Sequence, residues 1–195
     1  MRIFGSSIYR LRLLPLMAAS LAACSTAHAA LIGDVIFISD FVVEPPAVAD
    51  VTADHNVVRA GVGVGPLFWD ERLAATAQAW AATCTGDPTN TQIIHNPNRS
   101  SGYPFYVGEN IASGTGTLSV ATAVNLWASE QQYYDYASNV CTPPLGQTCG
   151  HYTQLVWANS YLLGCGTALC PNLVFSHVLV CNYAPGGNIG AEKPY

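Results

Sequence analysis

The sequence predicts an α+β fold in which an antiparallel sheet is covered by helices and stapled by disulfides. Three observations lead there. Helical periodicity fills the middle of the chain, β-prone runs joined by short turns close it, and six cysteines follow an export-like leader. At 195 residues, 50% hydrophobic and 10% charged, the chain can build one domain with a real core.

From about residue 50 the elements come in order. Residues 53–60 read as a first helix, ended by Gly61, Gly63 and Gly65. Residues 70–84 read as a second. There Leu73, Ala77, Trp80, Ala81 and Cys84 recur at helical spacing, and Asp70 and Glu71 sit where a helix N-terminus favours acids. Residues 85–107, rich in Pro, Asn, Thr and Gly, read as a long loop. A third helix is predicted over 120–136, with Val120, Val124, Trp127, Gln131 and Tyr134 on one face. Strands are predicted at 151–157, 161–166 and 174–183.

Before that lies a leader. Arg2, Arg10 and Arg12 flank or precede an apolar run from Leu11 to Ala23, and Ala27-His28-Ala29 is a small-x-small cleavage site, so residues 1–29 read as a signal peptide. The run is shorter than a membrane span. Leu21-Ala22-Ala23-Cys24 also fits a bacterial lipobox, which would lipidate Cys24 and anchor the protein to a bacterial surface or in the periplasm. Residues 30–49 read as a pro-segment or linker, and 50–195 as the folded domain. Without the leader, four basic residues face twelve acidic ones, a net charge of −8. That excludes nucleic acid as the expected partner, because phosphate backbones reward basic surfaces.

Cys84, Cys141, Cys149, Cys165, Cys170 and Cys181 are an even set in an exported chain, which implies three bridges with 15 conceivable connectivities. With every thiol paired, a cysteine nucleophile is not expected. No HExxH or GxSxG motif is present, so no standard hydrolase signature supports an enzyme.

Several blocks agree in order with one family. They are His55-Asn56 with Arg59, Pro66-Leu67-Phe68-Trp69-Asp70, Gly108-Glu109-Asn110-Ile111, Trp127 with Glu130 and Tyr134, residues 150–160 (GHYTQLVWANS) and residues 181–188 (CNYAPGGN). On these the chain resembles the CAP superfamily (cysteine-rich secretory proteins, antigen five and pathogenesis-related class one proteins), over roughly residue 50 to the C-terminus. Tyr133-Tyr134-Asp135-Tyr136, Ser138-Asn139 with Cys141, and the ending Lys193-Pro194-Tyr195 resemble the pathogenesis-related class one branch. The resemblance implies a three-layer α-β-α sandwich and the pairing Cys84–Cys170, Cys141–Cys149 and Cys165–Cys181. Bridges of this kind each contribute about 2–4 kcal/mol.

The resemblance also implies that His95, Glu109, Glu130 and His151 meet in a central cavity. His95 departs from the family pattern, since Ile94-His95-Asn96-Pro97 lacks the usual His-Ser pair. The chemistry is coherent. Imidazoles bind zinc and other divalent metals, and carboxylates orient the imidazole N–H or hold a bound water. His95 and His151 are thus the expected metal ligands, with Glu109 and Glu130 behind them. The plainer alternative is a hydrogen-bonded cluster that locks the sandwich without metal.

Other features point to scaffolding. His55 opens a helix, His177 sits in a strand, and the four tryptophans lie on amphipathic elements, where core packing is the common use. The tyrosines at 133, 134 and 136 can rim a groove. In the plant branch a similar C-terminal tail is the source of a short signalling peptide, but Ile189-Gly190-Ala191 departs from it, and the run from Pro185 is expected to pack back on the sheet.

The expected function is that of a secreted, extracellular, monomeric CAP protein that binds sterols, fatty acids or other small lipids, or takes part in host–microbe interaction. Two alternatives stand beside it: a metal-dependent hydrolase centred on His95 and His151, and a protein-interaction module whose His/Glu cluster is structural. No later segment of the chain reads as a transmembrane span.

Overall fold

The computed structural model describes residues 30–32, 35–37 and 43–195. The signal segment 1–29, with Cys24, lies outside the described residues. Ala30–Ile32 (β1) and Val35–Phe37 (β2) pair antiparallel as a small hairpin. The other compact unit, Val42–Tyr195, carries the fold. Among the described residues, no helix is long and apolar enough to cross a membrane.

After a 3-10 turn at Pro46–Val48, helix α1 spans Val51–Gly61 and buries Val51, His55 and Arg59, spaced four apart on one stripe. The two-residue strand β3, Phe68–Trp69, leads into α2, Glu71–Ala81. Asp70 caps α2 by accepting from the Leu73 N–H at 2.7 Å. Strand β4 is Gly108–Gly114. Helix α3, Val120–Ser129, is capped by Ser119, whose Oγ accepts from the Thr122 N–H at 3.1 Å. A 3-10 turn at Glu130–Tyr133 and a small hairpin of β5 (Tyr134–Asp135) and β6 (Val140–Cys141) follow. Helix α4, Gly150–Leu155, precedes the long strands β7 (Leu162–Leu169) and β8 (His177–Ala184).

The main sheet has the order β3-β7-β8-β4 and is antiparallel except for the β3–β7 pair. Helix α2 packs on one face, where Ala77 and Ala81 meet Val178 and Val180. Helices α1, α3 and α4 cover the other, where Val51, Val124, Trp127, Tyr152 and Leu155 meet Leu163, Leu179, Cys181 and Tyr183. This is the expected three-layer sandwich. The three disulfides join Cys84–Cys170, Cys141–Cys149 and Cys165–Cys181. The first ties the end of α2 to the β7–β8 turn across 86 residues.

Two predicted elements differ. The 151–157 segment is helix rather than strand, because Glu130 caps its first turn and Arg59 binds the carbonyls at its end. The third helix stops at Ser129 instead of running to Tyr136, and Tyr134 enters the β5–β6 hairpin closed near the Cys141–Cys149 bridge. In both places tertiary contacts override local pattern.

Candidate functional site

Two His–Glu couples lie at strand β4, one of them built on Glu109 of the strand itself. In that couple, the loop after α2 carries His95, and its Nδ1 lies 2.7 Å from Glu109 Oε1. The same oxygen accepts from the Asn96 N–H at 2.9 Å. Trp80 Nε1 donates to Ile94 O at 2.8 Å, so α2 holds this loop in place. In the other couple, His151 Nδ1 lies 2.6 Å from Glu130 Oε1. Glu130 Oε2 accepts from the N–H groups of His151 and Tyr152 at 3.0 and 3.1 Å. One carboxylate therefore orients the ring and satisfies orphan donors at the start of α4.

An ionised carboxylate only accepts, so Nδ1 carries a proton in both rings, and in the neutral imidazole Nε2 is then the lone-pair atom. Both histidines line one cleft of about 260 Å³, together with Ile93, Ile94, Ile111 and Ser113. A second cleft of about 470 Å³ shares Ile111, Ser113 and His151 and adds Leu126, Trp127, Glu130 and Tyr133. The His95 side chain is 56% exposed while that of Glu109 is fully buried, so the imidazole is presented outward from a rigid base. The other Glu109 oxygen, Oε2, is buried with no hydrogen-bond partner. The two histidines thus share one cleft, with Glu109 buried behind His95 and Glu130 beside His151 in the second cleft. Among the described residues, no three His, Cys, Asp or Glu side chains group closely enough to hold an ion together.

A polar network backs His151. Asn110 Nδ2 donates to His151 O at 3.0 Å and to Tyr183 Oη at 3.1 Å. Tyr183 in turn lies 2.7 Å from His55 Nε2, and His55 Nδ1 lies 2.7 Å from Val51 O. The Val51 carbonyl only accepts, so His55 Nδ1 carries the proton and Nε2 accepts from the tyrosine. Trp127 stacks against His151 with ring centroids 6.2 Å apart. At the far end of α4, Arg59 donates to Leu155 O and Trp157 O at 2.9 Å, to Ser160 O at 2.9 Å and to Gly65 O at 2.7 Å.

Burial lowers the His55 pKa from 6.5 to about 4, with the nearby Arg59 charge acting in the same direction and the Val51 carbonyl opposing it. The folded state therefore resists a proton that the unfolded chain accepts. Stability is full above about pH 6.5 and falls as pH drops toward 4, where native His55 also protonates. The loss expected from this group is about 3 kcal/mol. Urea unfolding of wild type and His55→Gln at pH 7 and pH 4 checks it, since the variant lacks this increment.

Sequence reasoning marked all four cleft residues but missed what anchors them. Arg59 was visible only as part of a motif, and the roles of Asn110 and Tyr183 needed the register that sets Asn110 opposite Cys181. The scaffolding expectations hold for His55 and for Trp127 and Trp157, which are buried, while Trp69 and Trp80 pack against the cores from partly buried positions. His177, at the sheet's end, is half-buried. Tyr133 lines the second cleft, and Tyr136 stacks on Tyr195 at 4.5 Å. The final residues pack on the domain, with Ala158 N donating to Pro194 O at 2.7 Å and the Tyr152 and Tyr195 hydroxyls 3.0 Å apart.

The family model of the cysteine-rich secretory protein family, CAP, matches residues 52–183. The chain belongs to this family. Among curated relatives, Pathogenesis-related protein 1 of Arabidopsis thaliana is 47% identical over 141 residues, covering 72% of this chain and 78% of the relative. Pathogenesis-related leaf protein 4 of Solanum lycopersicum is 47% identical over 146 residues, covering 75% and 82%. These place the CAP chain in the pathogenesis-related class one branch. Among solved structures, Schistosoma mansoni venom allergen-like protein 4 matches with a TM-score of 0.61 at 27% identity, covering 77% of this chain and 94% of that one. NaASP2, crystallised with Zn2+, matches with a TM-score of 0.58 at 25% identity, covering 80% and 88%.

Proposed function

We propose that this CAP protein acts outside the cytoplasm as a binding protein whose cleft takes up a divalent transition-metal ion, zinc in the first instance, between His95 and His151. The observation that carries the reading is the matched orientation of the two rings. Each Nδ1 is held by a carboxylate, which leaves each Nε2 as a lone-pair donor on a side chain lining the same cleft. The donor set fits the ion. Two neutral imidazoles backed by two carboxylates bring two negative charges, and the unpartnered Glu109 Oε2 is a buried acceptor beside the site. Two protein nitrogens leave positions open, which suits an exchangeable ion. A bound zinc would supply a Lewis acid able to polarise a carbonyl or acidify a water. The chain's own contribution is to fix the rings, and Trp127 limits water on the His151 side. The leader, the three bridges and the pathogenesis-related relatives support export and a defence-related role.

Calorimetric zinc titration tests this. Wild type is expected to bind with one-to-one stoichiometry, and His95→Ala/His151→Ala to lose binding. Glu130→Gln should weaken affinity by about 10–100-fold through loss of ring orientation. Absence of binding by wild type, or equal binding by the double variant, overturns the metal reading.

A small apolar ligand is the second reading, favoured by the cleft walls. Ile94 is 40% exposed and Leu126 55% exposed, and they line the two clefts that share Ile111. Saturable displacement of a fluorescent fatty acid or sterol that survives chelation supports it, and no displacement across a lipid panel contradicts it.

A further inference from the structure

The cleft runs along an unpaired edge of the sheet. Strand β4 ends the order β3-β7-β8-β4, so among the described residues one of its sides has no neighbouring strand. Which backbone groups face outward follows from the register. Cys165 and Cys181 stand opposite each other with Cα atoms 4.1 Å apart, the close spacing of a non-hydrogen-bonded antiparallel pair. Strand β8 therefore bonds to β7 through its even-numbered residues and to β4 through its odd-numbered ones. The β4 partners of those odd residues are Gly108, Asn110, Ala112 and Gly114. The N–H and C=O groups of Glu109, Ile111 and Ser113 point away from the sheet. Trp127 Nε1, which donates to Ile111 O at 3.3 Å from outside the sheet, agrees with this parity. Among the described residues, no other hydrogen bond to these outward backbone groups is found.

Natural sheets blunt free edges with lysine, proline, bulges or very short strands. Strand β3, at the opposite edge, is two residues long. Strand β4 has seven residues, Gly-Glu-Asn-Ile-Ala-Ser-Gly, with neither lysine nor proline, and pairs with β8 in unbroken register. It is protected by Trp127, which covers the Ile111 carbonyl, and by its recess between the His95 loop and the α3–α4 side. Such an edge is shielded from sheet-to-sheet aggregation but open to a single slender chain.

We propose that an extended peptide docks in this cleft as an added strand on β4, hydrogen-bonding to the N–H of Ile111 and to the N–H and C=O of Ser113, the Ile111 carbonyl being held by Trp127. Its side chains alternate between the Ile93–Ile94 wall and the Leu126 wall. A row of main-chain donors and acceptors at strand spacing matches a peptide backbone, and neither a sterol nor a fatty acid can satisfy it. The Ile93–Ile94 and Leu126 walls favour apolar side chains, and Glu130 in the second cleft disfavours acidic ones. The proposal goes beyond metal uptake and stands whether or not an ion binds at the histidines.

The test is selection of a random octapeptide phage library on the disulfide-bonded protein with chelator present, counter-screened on Ser113→Pro. Proline there removes an outward N–H while leaving the β8 ladder intact. Enriched peptides are expected to protect the Ile111 and Ser113 amides from hydrogen exchange in wild type, a reading that does not depend on how the variant folds. Their affinity should drop about tenfold or more on Ser113→Pro or on N-methylation of alternate peptide amides. No enrichment, binding insensitive to N-methylation, or protection elsewhere overturns the proposal. Because chelator is present, failure here is separable from failure of the zinc titration.

Discussion

Arg59→Met is expected to lower unfolding stability by about 3–5 kcal/mol, read as a reduced urea midpoint. Arg59 is fully buried on α1 and, among the described residues, has no carboxylate partner. Its guanidinium is matched instead by the carbonyls of Gly65, Leu155, Trp157 and Ser160. Burial lowers its pKa only to about 10, so it remains charged at neutral pH. Methionine fills the volume and relieves the buried charge, but it strands the carbonyls of Gly65, Leu155 and Ser160, while Trp157 O keeps the Ser160 N–H. Each charge-assisted bond is worth about 1.5–3 kcal/mol, and the stranded acceptors outweigh the relief. Lysine should not rescue, because a point charge on a flexible stem cannot span four acceptors in one plane. A change below about 1 kcal/mol would mean that water replaces the guanidinium without loss.

Gly164→Ala should be comparably severe, for a steric reason. A Cβ at Gly164 would stand 2.1 Å from Ala74 N and 2.5 Å from Leu73 C, both backbone atoms of α2. No rotamer change clears backbone, so the helix must lift off the sheet. At Gly166 the same addition would meet Gln78 Cα at 2.3 Å. The two glycines alternate with Cys165, so they form a bare track on the α2 face of β7 on which the helix lies. Overpacking against a fixed backbone costs at least about 3 kcal/mol, or about 10 °C in Tm for a chain of this size. Gly164→Ala/Gly166→Ala should not fold to the native disulfide pairing. A Tm within about 2 °C of wild type for Gly164→Ala would refute this account of the α2 layer.

These two residues also show where sequence reading stops. Periodicity found α1 and α2 because their apolar stripes are local, and the cysteine set with the family motifs gave the bridges. The His/Glu quartet was legible because three of its members sit inside strong motifs. Helix α4 was not legible. Six residues rich in β-prone Tyr, Thr and Val neighbours are helical because Glu130, about twenty positions away, caps one end and Arg59, about ninety away, binds the other. Gly108–Gly114 was read as a motif without being read as a strand, since Gly, Asn and Ser carry little β-propensity; its pairing with β8 decides its conformation. The division of the quartet into the couples His95–Glu109 and His151–Glu130 depends on tertiary contacts and has no local signal.

Glu109 and Glu130 each accept from the Nδ1–H of a histidine, which turns Nε2 of both His95 and His151 into the donor atom available to an ion in their common cleft. Nitrogen-15 NMR of the histidine ring nitrogens, in metal-free protein and after one equivalent of zinc, tests it most directly. The prediction is an Nδ1–H tautomer for both His95 and His151, with both Nε2 signals displaced by zinc and the His55 signals unchanged. An Nε2–H tautomer in either ring, or zinc that displaces neither, would contradict it.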